Sequence, residues 1–190
     1  MPTAQVDGAQ RRRGRPPTFS QQQFVDVAIK VIEEHGVESL TMRDVATRLG
    51  AATSALYRHV ADKEALLLLA ADQILGQIVV PEEGEWYERL TELELSIRTT
   101  LRRYPGVSKY IFRRNPLTVH SKRHLEALMG IFGDAGLDEA AAGDALFAVY
   151  LLMAGDLTVG PRVLATARRG DERFTFALDA LLGGLGLELP

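Results

Sequence analysis

Apolar residues recur along this chain at spacings of three and four, and no run alternates apolar with polar between turn residues. Ser20 followed by Gln23 has the form of a capping box, and Phe24, Ala28, Val31 and Ile32 then repeat at helical spacing until Gly36. Thr41 followed by Asp44 opens a second, short helix with Met42, Val45, Ala46 and Leu49 inward, and Gly50 stops it. A third short helix is predicted from Thr53 to Val60. Asp62 then caps a long fourth helix reaching Val80, which Pro81 terminates.

The later pattern continues in the same way. Trp86, Leu90, Leu93, Ile97, Leu101 and Tyr104 form one stripe ending at Pro105. A short helix follows over Gly106 to Arg114, then one from Ser121 to Asp134 with Leu125, Leu128, Met129 and Phe132 inward. Asp138 caps a helix to Val159, and Asp171 opens a last one to Leu185. The chain therefore reads as all-α with about nine helices. Residues 1–18 carry no apolar period and read as a disordered basic arm.

Composition adds a second signal. The 190 residues carry a net charge of −3, but unevenly. Up to Ala61 there are 8 Lys/Arg against 6 Asp/Glu; from Asp62 onward 14 face 19. A small basic head on a larger acidic body is the expectation, with Arg11, Arg12, Arg13 and Arg15 at its tip. There is no cysteine, so disulfides and thiolate metal sites are excluded, which fits a reducing cytoplasm. No apolar run follows the N-terminal arginines as in a signal peptide, and the longest apolar stretch, Ala65 to Ala71, is too short for a bilayer. A cytoplasmic protein without a membrane segment is expected. No P-loop, nucleophile elbow, His-Glu-x-x-His or dinucleotide glycine fingerprint occurs, so nothing points to an enzyme or calls for a cofactor or metal.

Two short amphipathic helices joined by a tight glycine turn form the unit that presents a helix to the DNA major groove. Here the turn is Leu49-Gly50-Ala51-Ala52, with Gly50 taking a positive φ, and Val45, Ala46, Leu49, Leu56 and Val60 forming the shared core. Thr53, Ser54, Ala55, Tyr57, Arg58 and His59 are left outward. Arg58 can make paired bonds to guanine, the hydroxyls can donate or accept, and the Ala55 methyl can meet thymine. Tyr57, His59 and Lys63 are expected on phosphates, and Thr41, Met42 and Arg43 join the candidate DNA contacts.

The whole string from Leu40 to Leu67, LTMRDVATRLGAATSALYRHVADKEALL, resembles the TetR family of transcriptional regulators. Its matching residues are Leu40, Thr41, Arg43, Ala46, Leu49, Gly50, Leu56, Tyr57, His59, Lys63, Glu64, Leu66 and Leu67. The chain departs from that pattern at Ala52, where the family usually has a capping side chain. The resemblance implies a helix-turn-helix domain over residues 19–61 and a helical effector-binding and dimerisation domain over 62–190. It implies a homodimer on a pseudo-palindromic double-stranded DNA operator, in most members a repressor, released by a small-molecule effector. A DNA-binding protein without an effector, acting architecturally or through protein partners, is the alternative.

Other segments stay open at this level. Arg13-Gly14-Arg15-Pro16 is either a solvated basic tail or the core of a minor-groove hook. The small-residue helix from Asp138 and the last helix either form a four-helix dimer bundle or are internal core. Trp86, Leu90, Phe112, Met129, Phe132, Tyr150 and Met153 either line an effector pocket or are plain core. The basic stretch with Arg102, Arg103, Lys109, Arg113, Arg114, Lys122 and Arg123 either draws an anion or is a solvated face. His120 and His124 lack a third ligand for a metal.

Overall fold

Five of the helix starts are set by a short polar side chain. The Ser20 hydroxyl accepts from the Gln23 N–H while Gln23 Oε1 accepts from the Ser20 N–H at 2.9 Å, the reciprocal box expected. Thr41 accepts from the Asp44 N–H at 3.1 Å, Asp62 from Ala65 at 2.8 Å and Asp138 from Ala141 at 2.9 Å. The computed structural model describes residues 19–114, 117–159 and 170–189. Among them are nine α-helices, one 3-10 turn at Val37–Ser39 and no strand. The helices are α1 Gln21–His35, α2 Met42–Arg48, α3 Thr53–Tyr57, α4 Lys63–Leu75, α5 Trp86–Arg102, α6 Val107–Arg114, α7 Val119–Asp134, α8 Glu139–Thr158 and α9 Gly170–Gly184. The arm with Arg11, Arg12, Arg13 and Arg15 lies outside the described residues.

The α2–α3 turn closes through two backbone bonds. The Gly50 N–H reaches Thr47 O and the Ala51 N–H reaches Ala46 O, both at 2.9 Å, with Gly50 at φ 66°. That pairing is a Schellman closure, and glycine takes its left-handed position without strain. Val45, Ala46, Leu56 and Val60 are buried as expected, against Phe24, Ala28 and Ile32 of α1; Leu49 is half-buried.

Three expectations change. First, α3 ends at Tyr57, and Arg58 and His59 continue only as a turn. Second, Ala55 faces the core at 7% exposure instead of outward, and Met42, inward at 8% as its helix pattern predicts, does not present its side chain as the DNA contact it was also expected to be. Ala55 shares with the neighbouring Leu56 the face of α3 that is buried in the head. Third, α4 stops at Leu75, five residues short of Val80. At Gly76 the α7 His120 ring lies against the helix, and a Cβ there would sit 2.8 Å from His120 Nε2. Beyond it the freed Val79 N–H donates to Ser96 Oγ of α5 at 3.0 Å, and Tyr104 Oη donates to Gln77 Oε1 at 2.8 Å. In return α7 starts two residues early, because Thr118 and Ser121 form a capping box.

α4 is the wall shared by two layers. It packs on α1 on one side and on α5 and α7 on the other, with Leu66, Leu67, Ala70, Ala71, Ile74 and Leu75 buried. Below it, α5, α8 and α9 are tied by a buried guanidinium. Arg98, fully enclosed, donates to Asp156 at 2.7 Å, to Asp171, and to the Gly170 carbonyl at 2.9 Å, and it stacks over Phe174. Arg102 and Arg173 also reach Asp156, so the buried charges compensate one another. By length and composition α8 could cross a membrane, and only 22% of that window is buried.

Ala52, the N-cap of α3, provides no side-chain hydrogen bond to the first turn. Ala52→Ser should therefore stabilise the chain by about 1 kcal/mol and raise Tm by roughly 2–4 °C for a chain this long. An unchanged or lowered Tm in a thermal melt would mean that α3 needs no cap.

Candidate functional site

At the head of the molecule, α3 and the turn after it present a polar edge. Ser54, Tyr57 and Arg58 are exposed, Tyr57 at 53%, while Thr53 and Lys63 are partly covered. Arg43 and Thr41 are exposed at the start of α2. Arg43, Arg58 and Lys63 have no carboxylate partner among the described residues, whereas Arg48 is held by Glu34 at 2.6 Å and Asp44 at 3.1 Å. The hydrogen bond from Arg48 is the chief reason that Glu34 stays ionised below its ordinary range. Three cations on this edge are thus uncommitted, and a fourth is spent internally. His59 differs from its expected place. Its ring packs on Phe24 with centroids 5.6 Å apart, and its carbonyl accepts from Gln21 Nε2 at 2.9 Å, so it braces α1 against the recognition segment.

From this edge α4 leads inward, and α6 grips its beginning. Glu64, beside Lys63, is met by Arg114 at 3.3 Å and by the Tyr110 hydroxyl. Burial, aided by the Glu64 charge and hydrogen bond, pushes Tyr110 up to about 12. The loop before α6 touches the head a second time, where the Val37 N–H donates to Pro105 O at 2.9 Å. Gly106, at φ 89°, permits this approach, since a Cβ there would lie 3.1 Å from the Val37 side chain. Arg103 adds an ion pair to Glu33 at 3.0 Å. At the far end of α4, Asp72 accepts from the His120 N–H at 3.1 Å. Burial pulls the Asp72 carboxyl upward, but hydrogen bonding from Thr118 and His120 outweighs it and leaves it below its usual range. The His120 ring stands 3.1 Å from the same oxygen without the alignment of a hydrogen bond.

Behind α6 lies a cavity of about 100 Å3. α4 bounds it through Leu75, α5 through Glu94, Ile97 and Leu101, and α6 through Ile111 and Phe112. α7 contributes Ser121, His124, Leu125 and Leu128, and α8 contributes Leu146, Tyr150 and Met153. The rings of Phe112 and Tyr150 meet edge to face at 5.0 Å. Glu94 and His124 are both buried there, and Glu94 Oε2 has no hydrogen-bond partner. One short helix therefore touches the cavity with Ile111 and Phe112 and grips Glu64 with Tyr110 and Arg114.

Similarity to known proteins agrees with this arrangement. The profile "Bacterial regulatory proteins, tetR family" matches residues 24–70, and "Tetracyclin repressor-like, C-terminal domain" matches residues 80–169. The chain belongs to the TetR family. An HTH-type transcriptional regulator of Saccharopolyspora erythraea is 28% identical over 135 residues, covering 68% of this chain and 57% of that protein. The chain matches about half the length of such curated relatives. Apo ActR of Streptomyces coelicolor superposes with a TM-score of 0.79 at 21% identity, covering 90% of this chain and 96% of its own. ActR in complex with actinorhodin superposes at 0.74 and 24%, covering 91% and 98%. BioQ with its double-stranded DNA operator superposes at 0.75 and 25%, covering 88% and 98%.

In this TetR-family chain the candidate pocket residues divide. Phe112, Tyr150 and Met153 line the cavity; Trp86, Leu90, Met129 and Phe132 do not. Leu90 and Phe132 are fully buried core, Met129 is half-buried against it, and Trp86 stacks edge-on with Tyr87. Glu94 was the missed residue. It and Arg98 lie at helical spacing within the α5 stripe, between Leu90 and Leu101, and charges in an apolar stripe are the signal that could have found them. No group of three or more metal-binding side chains occurs among the described residues.

Burial lifts the Glu94 carboxyl from the ordinary 4.5 to about 8. Burial, with Arg123 and His120 adding and Asp72 opposing, brings His124 down to about 4. The protonated Glu94 is thus favoured by the fold, and its contribution is complete below pH 4.5 and lost as pH rises through 8. The neutral His124 contributes above pH 6.5, and that contribution is lost as pH falls toward 4. Glu94→Gln should therefore gain Tm over the natural chain progressively from pH 5 to pH 8, then level off. A Tm difference constant across that range would place Glu94 in contact with water.

Proposed function

We propose that this chain is a ligand-responsive transcriptional repressor that binds a pseudo-palindromic operator as a homodimer. The observation that carries this is the single connected path from an uncommitted cationic edge, through Lys63 and Glu64 of α4, to α6 and the cavity behind it. Residues 19–61 act as the DNA-binding unit and 62–190 as the effector-binding and dimerising unit. Arg58 reads base edges, Thr53 and Ser54 assist in the first turn, and Tyr57, Lys63, Arg43 and Thr41 hold phosphates. His59 supports the recognition segment from behind. The operator-bound structure of BioQ supports the DNA assignment, and the complex of a TetR from Acinetobacter baumannii with minocycline, 29% identical, supports a small-molecule ligand.

Dimerisation accounts for an otherwise costly surface. α8 exposes Phe147 at 63% and Leu151 at 52%, and α9 exposes Phe176 at 51%, beside small Gly155, Ala180 and Gly183. Two such helices from each subunit pack as a four-helix bundle, which covers these apolar faces and explains the low burial of α8. The dimer sets two recognition segments about 34 Å, one DNA turn, apart. An effector entering the cavity pushes on Ile111 and Phe112, and α6 passes the displacement to Glu64 and the Val37–Pro105 contact. The state so favoured no longer matches successive grooves, and DNA is released. The repressor works in the cytoplasm, where its operator is.

Selection of bound sequences from random DNA tests this reading. A palindromic half-site motif is expected. Arg58→Ala should relax it at one or two positions, costing about 1–3 kcal/mol for the preferred sequence, whereas Lys63→Ala should weaken all sequences alike. Failure to enrich any motif, or an unaltered motif with Arg58→Ala, contradicts the assignment.

The basic arm is expected to add phosphate contacts through Arg11, Arg12, Arg13 and Arg15. Removing residues 1–16 should weaken binding and flatten the slope of affinity against salt, by about 0.9 per lost contact. An unchanged slope removes the arm from the interface.

A further inference from the structure

Glu94 is the feature of the cavity that protein architecture alone does not explain. A fully buried carboxyl normally finds a partner, because leaving an oxygen unpaired costs a large part of its hydration. Glu94 is 2% exposed, lines the cavity, and its Oε2 meets no donor. Two turns of the same helix show the contrast, since Arg98 is equally buried and fully satisfied by Asp156, Asp171 and Gly170.

The rest of the lining narrows the partner. Among the described residues no Lys or Arg borders the cavity, so they offer an entering anion nothing to neutralise it. Besides Glu94, the titratable lining groups are His124 on α7 and Tyr150 on α8. His124 is neutral through burial, makes no hydrogen bond to Glu94, and has Arg123, His120 and Asp72 around its outer side. The Tyr150 hydroxyl is turned to the Phe112 carbonyl at 3.3 Å. The Phe112 and Tyr150 rings supply π faces, which attract a cation and offer an anion nothing. Apolar walls, two aromatic rings and one acid form the environment that suits a lipophilic cation.

We propose that the cavity is a site for a compact lipophilic amine, whose ammonium group pairs with the Glu94 carboxylate while its hydrocarbon fills the space between α5, α6 and α8. This rests on the reading of the cavity as the effector site and specifies the chemistry of what enters it. In the empty protein Glu94 is held protonated by burial, so the acid gives its proton to solvent when the ammonium arrives. Charge balances: a neutral acid and a cation become an ion pair, and one proton leaves to the buffer. The cavity volume of about 100 Å3 limits the hydrocarbon part to a single small ring or short chain.

Three probes of one shape, small enough for the cavity, separate the possibilities: cyclopentylamine, cyclopentanol and cyclopentanecarboxylate. Binding to the full chain without DNA is followed by calorimetry at pH 7 in two buffers of different ionisation enthalpy. The expected result is binding of the amine at least tenfold tighter than the alcohol, no binding of the carboxylate, and release of roughly one proton with the amine only. With Glu94→Gln the amine should lose its advantage and the proton release should vanish. The proton count needs no variant, so it stands even if Glu94→Gln folds poorly. Equal affinity for amine and alcohol, binding of the carboxylate, absence of amine binding, or no proton release would each overturn the proposal. Release of the selected operator DNA is read separately. Glu94-dependent amine binding that leaves DNA bound supports this assignment and contradicts the effector reading. Operator release by alcohol as readily as by amine supports the effector reading and overturns this assignment.

Discussion

Everything in this protein hangs on α4 being buried from two sides. Its apolar face toward α1 completes the small head, which without it has too little core to hold three short helices. Its other face closes the body against α5 and α7. A helix that belongs to two cores cannot shift relative to one without disturbing the other, because interiors are packed too densely to absorb the movement. The polar contacts then fix its two ends. Glu64 is held by α6 at the DNA end, and Asp72 is held by the start of α7 at the other.

That constraint gives α6 its significance. It is a helix of 8 residues, too short to be stable by itself, so its position is set by what it touches. Inside, it touches the cavity; outside, it touches Glu64; through Pro105 and Gly106 it touches the end of α1. A displacement of about an ångström in so small an element reaches both attachment points of the head at once. The ion pair of Arg103 with Glu33 is exposed and adds little to stability, but it lies on the same seam and helps orient the head.

The local elements were legible in the sequence because local chemistry determines them. Ser20 with Gln23, Thr41 with Asp44, Asp62 and Asp138 marked helix starts that the structure confirms, and Gly50 marked the turn. What was not legible depended on distant neighbours. Nothing near Gly76 in sequence announces that His120, 44 residues later, will lie across it and end α4 early. Ala55 carries no outward or inward label of its own, and the packing of the head turns it inside. Of seven candidate pocket residues, the four that lie elsewhere are ordinary apolar positions, indistinguishable in sequence from the three that line the cavity. The charged pair Glu94 and Arg98 within an apolar stripe carried more information than any of them.

The central claim is that α6 holds the heads of the proposed dimer in register through Glu64, and the absence of cysteine allows a direct reading of head position. One nitroxide label at Glu38→Cys, exposed on the 3-10 turn of each head, reports the head-to-head distance in the proposed dimer by double electron–electron resonance. The account predicts a narrow distance distribution that broadens or shifts when Tyr110→Phe and Arg114→Ala remove the grip on Glu64, with melting temperature little changed. An identical distribution in the presence and absence of that grip would contradict it.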